Sequence, residues 1–191
     1  MYEKFAVPGT LLQSYLDAFK AVPEAPRAVF LKHGLGRVTA SGEFELPAAG
    51  PLEAVLAALN ELCTLVGPQK AFEIGALIVK YASIPPGVTD IAAAVRIFDA
   101  GYHLNTLEEG VPMYDPATGA MREGIGHYTC VSVSKHRAVL EVDVPFNCDY
   151  DRGILQTWVR RFERSALVTH LEPTVCRKTR APRCRYEVSW K

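Results

Sequence analysis

No charge of either sign predominates in this 191-residue chain, in which 21 Lys and Arg face 21 Asp and Glu. That balance argues against a general nucleic-acid binder, which carries a basic excess. No apolar run reaches about eighteen residues, so no membrane span is expected. The start, Met1-Tyr-Glu-Lys-Phe5, lacks the charged-then-apolar order of an export signal. There is no Gly-x-Ser-x-Gly elbow, phosphate loop, His-Glu-x-x-His or Gly-x-Gly-x-x-Gly, so the chain is not expected to be an enzyme. Its five cysteines are an odd number without an export signal. That favours reduced thiols and a cytoplasmic location over a disulfide framework. What is present, 49% hydrophobic and 22% charged residues, is ordinary for a globular protein with a real core. The length suits one domain over 1–191.

The first half, 1–104, reads as helical. Leu11, Leu12, Tyr15, Leu16 and Phe19 share one face, and Ala28 to His33 suggests a second short helix. Pro51 opens a clear helix carrying Leu52, Val55, Leu59, Leu62 and Cys63, which Gly67-Pro68 ends. A third helix carries Phe72, Ile74, Leu77 and Tyr81. A fourth follows Thr89-Asp90 with Ile91, Val95, Phe98 and Tyr102 on one stripe. The segment 105–123 reads as a loop. In 125–191 the period changes to two at 128–134, 138–144, 167–171 and 185–190, with a helix over 151–162. These patterns predict an α+β fold: a helical N-terminal bundle packed on a four-stranded antiparallel sheet, with the C-terminal elements in ββαββ order.

Cys176 and Cys184 bracket a seven-residue basic loop, and Cys148 lies upstream. The close pair suits a metal clip, since thiolates are the best zinc ligands, or a ligand-pocket wall or a buried hairpin. The alternative is that they are small buried side chains, as Cys63 and Cys130 are expected to be. Asp149 and Asp151 are expected to cap a helix rather than act as acid and base. The set Phe98, Tyr102, Tyr128, Phe146, Trp158 and Tyr186 is expected to line a pocket between helices and sheet, where a small apolar or aromatic molecule binds. The alternative is that these rings simply fill the core.

Three local patterns carry a family resemblance: Asp143-Val-Pro-Phe-Asn-Cys148, the helix opened by Asp149-Tyr-Asp-Arg-Gly153, and Cys176-x7-Cys184-Arg-Tyr-Glu-Val-Ser-Trp190. Together they resemble the 4-vinyl reductase domain, of the ligand-binding superfamily shared by haem nitric-oxide sensors (H-NOX) and Golgi-transport (TRAPP) subunits. The stretch Leu52 to His103 loosely resembles sensory regions found ahead of AraC-type DNA-binding domains. The resemblance implies a non-enzymatic sensor in bacterial signalling or transcriptional regulation, a homodimer, and a signalling partner protein. It also implies zinc held by Cys148, Cys176 and Cys184 with an acidic fourth ligand, for which Glu172 stands nearest and His170 is the other candidate. A TRAPP-like scaffold and a haem-based gas sensor are the alternatives. His103 sits where the haem sensors have their proximal-ligand region. The Tyr-x-Ser-x-Arg signature that should follow is absent, with Ser132-Val-Ser-Lys-His136 in its place, so haem is not expected.

Overall fold

The computed structural model describes residues 2–191. In chain order the elements are β1 (Phe5–Pro8), α1 (Gly9–Ala18), α2 (Glu24–Lys32), β2 (Arg37–Val38), β3 (Phe44–Glu45), β4 (Ala49–Pro51), α3 (Leu52–Val66) and α4 (Pro68–Ile78). Then come α5 (Ile91–Arg96), α6 (Phe98–Leu104), β5 (Leu107–Glu108), β6 (Val111–Pro112), β7 (Tyr128–Val133), β8 (Arg137–Val142), α7 (Cys148–Arg160), β9 (Leu167–Leu171) and β10 (Cys184–Ser189). The fold is α+β, as the change of hydrophobic period implies.

The main sheet is antiparallel in the order β7-β8-β10-β9. Along β10 the alternation places Cys184, Tyr186 and Val188 on the buried face. Register sets Tyr186 opposite Leu140 on one side and His170 on the other. A smaller sheet, β4-β1-β5-β6, ties the N-terminus to the segment after α6. One apolar cluster runs from Phe5 to Val188 through helices and sheet alike.

Helix α3 buries Leu52, Val55, Leu59 and Leu62 on one stripe, and Gly67 ends it at φ 87°. Pro68 begins α4 where a missing N–H costs nothing. The closest helix pair is α4 with α7. A methyl group added to Gly75 would lie 2.1 Å from the carbonyl oxygen of Tyr150, and one added to Gly153 would lie 2.1 Å from that of Phe72. Only glycine allows backbones to approach this closely, and this contact sets where α7 sits over the sheet.

Three local expectations change. The fourth helix is two helices: Asp90 caps α5 by accepting from Ala93 N–H, and the chain turns at Ile97 before α6. The segment 105–123 is not wholly loop. Leu107–Glu108 pairs with β1 and with Val111–Pro112, and Tyr114 bridges to Met121. Two-residue strands are too short to display a period. Finally, α7 starts at Cys148, because Asn147 rather than an aspartate caps it, accepting from Tyr150 N–H at 3.0 Å. Asp151 is freed from capping and fully buried.

Candidate functional site: an apolar cavity beside a thiol cluster

A cavity of about 80 Å³ lies where α6, α7, the end of α4 and the start of α1 meet β7. Phe98, Tyr102, Tyr128, Phe146 and Trp158 line it together with Tyr150 and Ile154. Tyr150, Ile154 and Trp158 fall at i, i+4 and i+8 on α7, a helical stripe by which the first two could have been read. Tyr186 is placed elsewhere. It stacks on His170 at 4.8 Å within the sheet and donates to the carbonyl of Cys148 at 2.9 Å.

The rings meet edge to face. Phe98 stands 4.7 Å and Tyr102 5.3 Å from Tyr128, and Phe98 stands 6.0 Å from Trp158. Their polar tips are engaged away from the cavity. Tyr102 donates to Ile125 O at 2.9 Å, Trp158 to Ala94 O at 2.9 Å, and Tyr128 to Asp151 at 2.7 Å. No charged side chain belongs to the lining. The surface therefore suits an apolar guest and offers little to a polar one.

His103 stands on α6, next to the lining residue Tyr102, whose ring is edge-on to it at 5.2 Å. It is fully buried and is not itself part of the lining. Its Nδ1 lies 2.9 Å from the carbonyl of Asp99, which can only accept, so Nδ1 carries a proton and in the neutral ring the lone pair is on Nε2. That Nε2 has no hydrogen-bond partner among the described residues. A buried, unsatisfied imidazole nitrogen of this tautomer is the form in which histidine ligates a metal.

Its neighbour His127 stacks on it at 5.1 Å and is bonded to Asp99 and Glu123, each at 2.8 Å. Burial draws the His127 pKa down, but the bonds with Asp99 and Glu123 outweigh it and hold the value above 6.5. A raised folded pKa adds stability that is complete below the unfolded pKa and is lost as pH rises through the folded one. Wild type is thus expected to lose thermal stability from this group as pH climbs above 6.5. In His127→Gln that portion of the pH dependence should be missing. Solvent screening limits it to below about 1 kcal/mol, and melting curves across pH provide the check.

On the other side of α7, donor atoms of Cys148, His170, Cys176 and Cys184 all lie within 4.8 Å of one another. Three sulfurs and an imidazole form a four-donor set of the kind a tetrahedral metal ion takes. The three thiols named from sequence do converge. Glu172 does not join them, because the chain turns there at φ 49° just beyond β9, whereas His170 is still on the strand. Cys148 and Cys184 sulfurs are 3.1 Å apart, and Arg177 directs both its backbone N–H and its Nε to Cys184, at 3.4 Å. The hydrogen bond from Cys148 and the Arg177 donors lower the Cys184 pKa, while the same sulfur pair raises that of Cys148. Cys63 and Cys130 lie apart from this group, half-buried.

Asp151 connects the two regions. One carboxylate oxygen accepts from Tyr128 and the other from Arg177. Burial outweighs the attraction of Arg177 and pushes the Asp151 carboxyl up to about 6. The Arg177 pKa is raised too, although burial pulls it down, because the charge of Asp151 favours the protonated guanidinium; the two shifts thus disagree on whether the pairing is favourable. The burial of Asp151 is the better guide to what the pair is worth, because a buried ion pair contributes little in net terms and is costly to break.

Fold and site together describe an α+β domain with an interior cavity under its helices. No family model and no curated protein matches the chain. Solved structures do match. An H-NOX protein from S. oneidensis in the Fe(II) ligation state superposes with a TM-score of 0.65 at 11% identity, over 96% of both chains. The H-NOX domain from Shewanella oneidensis in the Fe(II)CO state gives 0.64 at 12%, over 96% of this chain and 98% of that one. An oxygen-binding H-NOX domain related to soluble guanylate cyclases, in its oxygen complex, gives 0.58 at 14%, over 96% and 94%. At these identities the likeness establishes the fold.

It also corrects several expectations. The structural likeness is to H-NOX domains, and nothing found supports the 4-vinyl reductase, TRAPP or AraC-type labels. The inference against haem is overturned, because structures sharing this fold over nearly the whole chain are Fe(II), Fe(II)CO and oxygen-bound proteins. A missing Tyr-x-Ser-x-Arg motif does not exclude the cofactor. Those structures give no support to zinc. Among the described residues no helix is long and apolar enough to cross a membrane.

Proposed function

We propose that this chain is a small-molecule sensor domain that binds haem and, through it, a diatomic gas, and that its role is binding rather than catalysis. The observation that carries this reading is the fully buried His103, with Nε2 unpartnered, one residue from the wall of an apolar cavity on an H-NOX-like fold. His103 would hold the iron through Nε2, and the carbonyl of Asp99, by accepting from Nδ1, would favour the tautomer that leaves Nε2 free. Haem, when bound, supplies an iron whose open coordination position takes a gas. The protein's own share is the dry aromatic wall, which excludes water, and the orientation of His103 by α6. A macrocycle of several hundred Å³ is larger than the cavity in this packing. Seating it would need the wall beside His103, of which Tyr102 is part, to open.

A second reading has its own support. The polar tips of Tyr102, Tyr128 and Trp158 are tied up elsewhere and the space is small, which suits an apolar or aromatic molecule bound directly. Haem titration followed by absorbance separates the two. The haem reading expects a Soret band with wild type, its loss in His103→Gly, and its return with added imidazole. A wild-type protein that develops no such band eliminates haem and leaves direct binding.

A further inference from the structure

We infer that Tyr128, Asp151 and Arg177 form a latch joining the cavity to the basic loop between Cys176 and Cys184, so that a guest in the cavity loosens that loop. The inference rests on the cavity being a ligand site, as proposed above.

The path is unbroken. The Tyr128 ring is cavity wall, and its hydroxyl, buried, donates to Asp151 Oδ1 at 2.7 Å. Asp151 Oδ2 accepts from Arg177, whose other terminal nitrogen donates to the carbonyl of Val144. Residues of the loop around Arg177 face outward: Lys178 pairs with Asp149 and Arg183 with Glu141 at the surface. Arg177 alone among the basic residues there turns inward, its side chain 13% exposed against 47% for Lys178 and 58% for Arg183. Cys176, buried beside it, is the loop's other inner anchor.

The coupling follows from the shape of a carboxylate. Tyr128 and Arg177 grip the two oxygens of one planar group on α7. When a guest pushes the Tyr128 ring aside, the carboxylate cannot follow the hydroxyl without turning its second oxygen from the guanidinium. A fully buried carboxylate has no water to replace the lost donor, so the displacement reaches the loop rather than being absorbed. The guest thus acts by preferring the packing in which the loop is released. By linkage, a loosened loop changes the guest's affinity by the same factor.

Hydrogen exchange of the peptide spanning 173–183, in the full chain with and without toluene, tests the latch. Toluene binding is read independently from Trp158 fluorescence in a Trp190→Phe background. Wild type should exchange several-fold faster in this peptide once toluene is bound. Arg177→Gln should be fast from the start and show no further response. An unchanged wild-type loop with toluene bound, or an Arg177→Gln loop that responds like wild type, overturns the latch. Failure of toluene to bind removes the direct-binding reading of the cavity instead. The latch is then judged without ligand: Arg177→Gln and Asp151→Asn must each accelerate exchange of the loop while the surface control Arg180→Gln does not. Equal rates in all three would refute it.

Discussion

Replacing Gly153 with alanine is expected to lower the free energy of unfolding by about 3 kcal/mol, at the upper end of what overpacking costs. The new methyl would lie 2.1 Å from the backbone oxygen of Phe72, a distance no relaxed structure tolerates. Because the obstacle is backbone, no rotamer change relieves it, and α7 must move off α4. Gly75→Ala should behave alike, since its methyl would meet the backbone oxygen of Tyr150 at 2.1 Å. Gly101→Ala is the control. Its nearest neighbour would be a Pro85 side-chain carbon at 3.6 Å, ordinary contact within a helix, so the change should be neutral or stabilise by up to about 1 kcal/mol. Urea unfolding of the three variants decides the matter. If Gly153→Ala and Gly101→Ala have equal midpoints, the close helix contact does not exist.

The second large effect concerns the buried ion pair. Arg177→Met should cost about 3–5 kcal/mol, because it leaves the fully buried Asp151 carboxylate with Tyr128 as its remaining hydrogen-bond partner. Asp151→Asn should also destabilise, by leaving Arg177 without its counter-charge. The double variant is expected to recover most of the loss, since removing both charges also removes the burden of burying them. The elevated Asp151 pKa points in the same direction: the site tolerates that charge only through its partners. A denaturant double-mutant cycle gives the coupling directly, and simple additivity of the two single variants would contradict the pairing.

Much of the fold could be read from residue order. The stripes on α1 and α3 and the alternation of β7, β8, β9 and β10 are local periodicities, and the chain forms the elements they imply. Where a signal was short or ambiguous, neighbours decided. Leu107–Glu108 became a strand because β1 was there to pair with it. The apparent helix 89–102 broke at Ile97, where the backbone leaves the helical range at φ −92° and ψ 0°.

The site was legible in parts. Cys148, Cys176 and Cys184 could be grouped through the family resemblance, but their fourth neighbour could not be chosen. Whether His170 or Glu172 faces the sulfurs depends on one positive φ at the end of a strand, which spacing does not encode. Five of the six aromatics chosen for the pocket line a single cavity; Tyr186 does not, because its place in β10 turns it to His170. Asp151, read from sequence as a helix cap, became a buried partner of an arginine 26 residues away.

The sequence by itself thus determined the elements, the class of fold and the apolar character of the interior, because each follows from the residue's own pattern of neighbours along the chain. Tertiary structure alone decided which side chains meet. His103 next to the cavity wall, Arg177 on Asp151 and α7 pressed against α4 are contacts between distant segments, and they arise from how packed surfaces fit together in space rather than from any local preference.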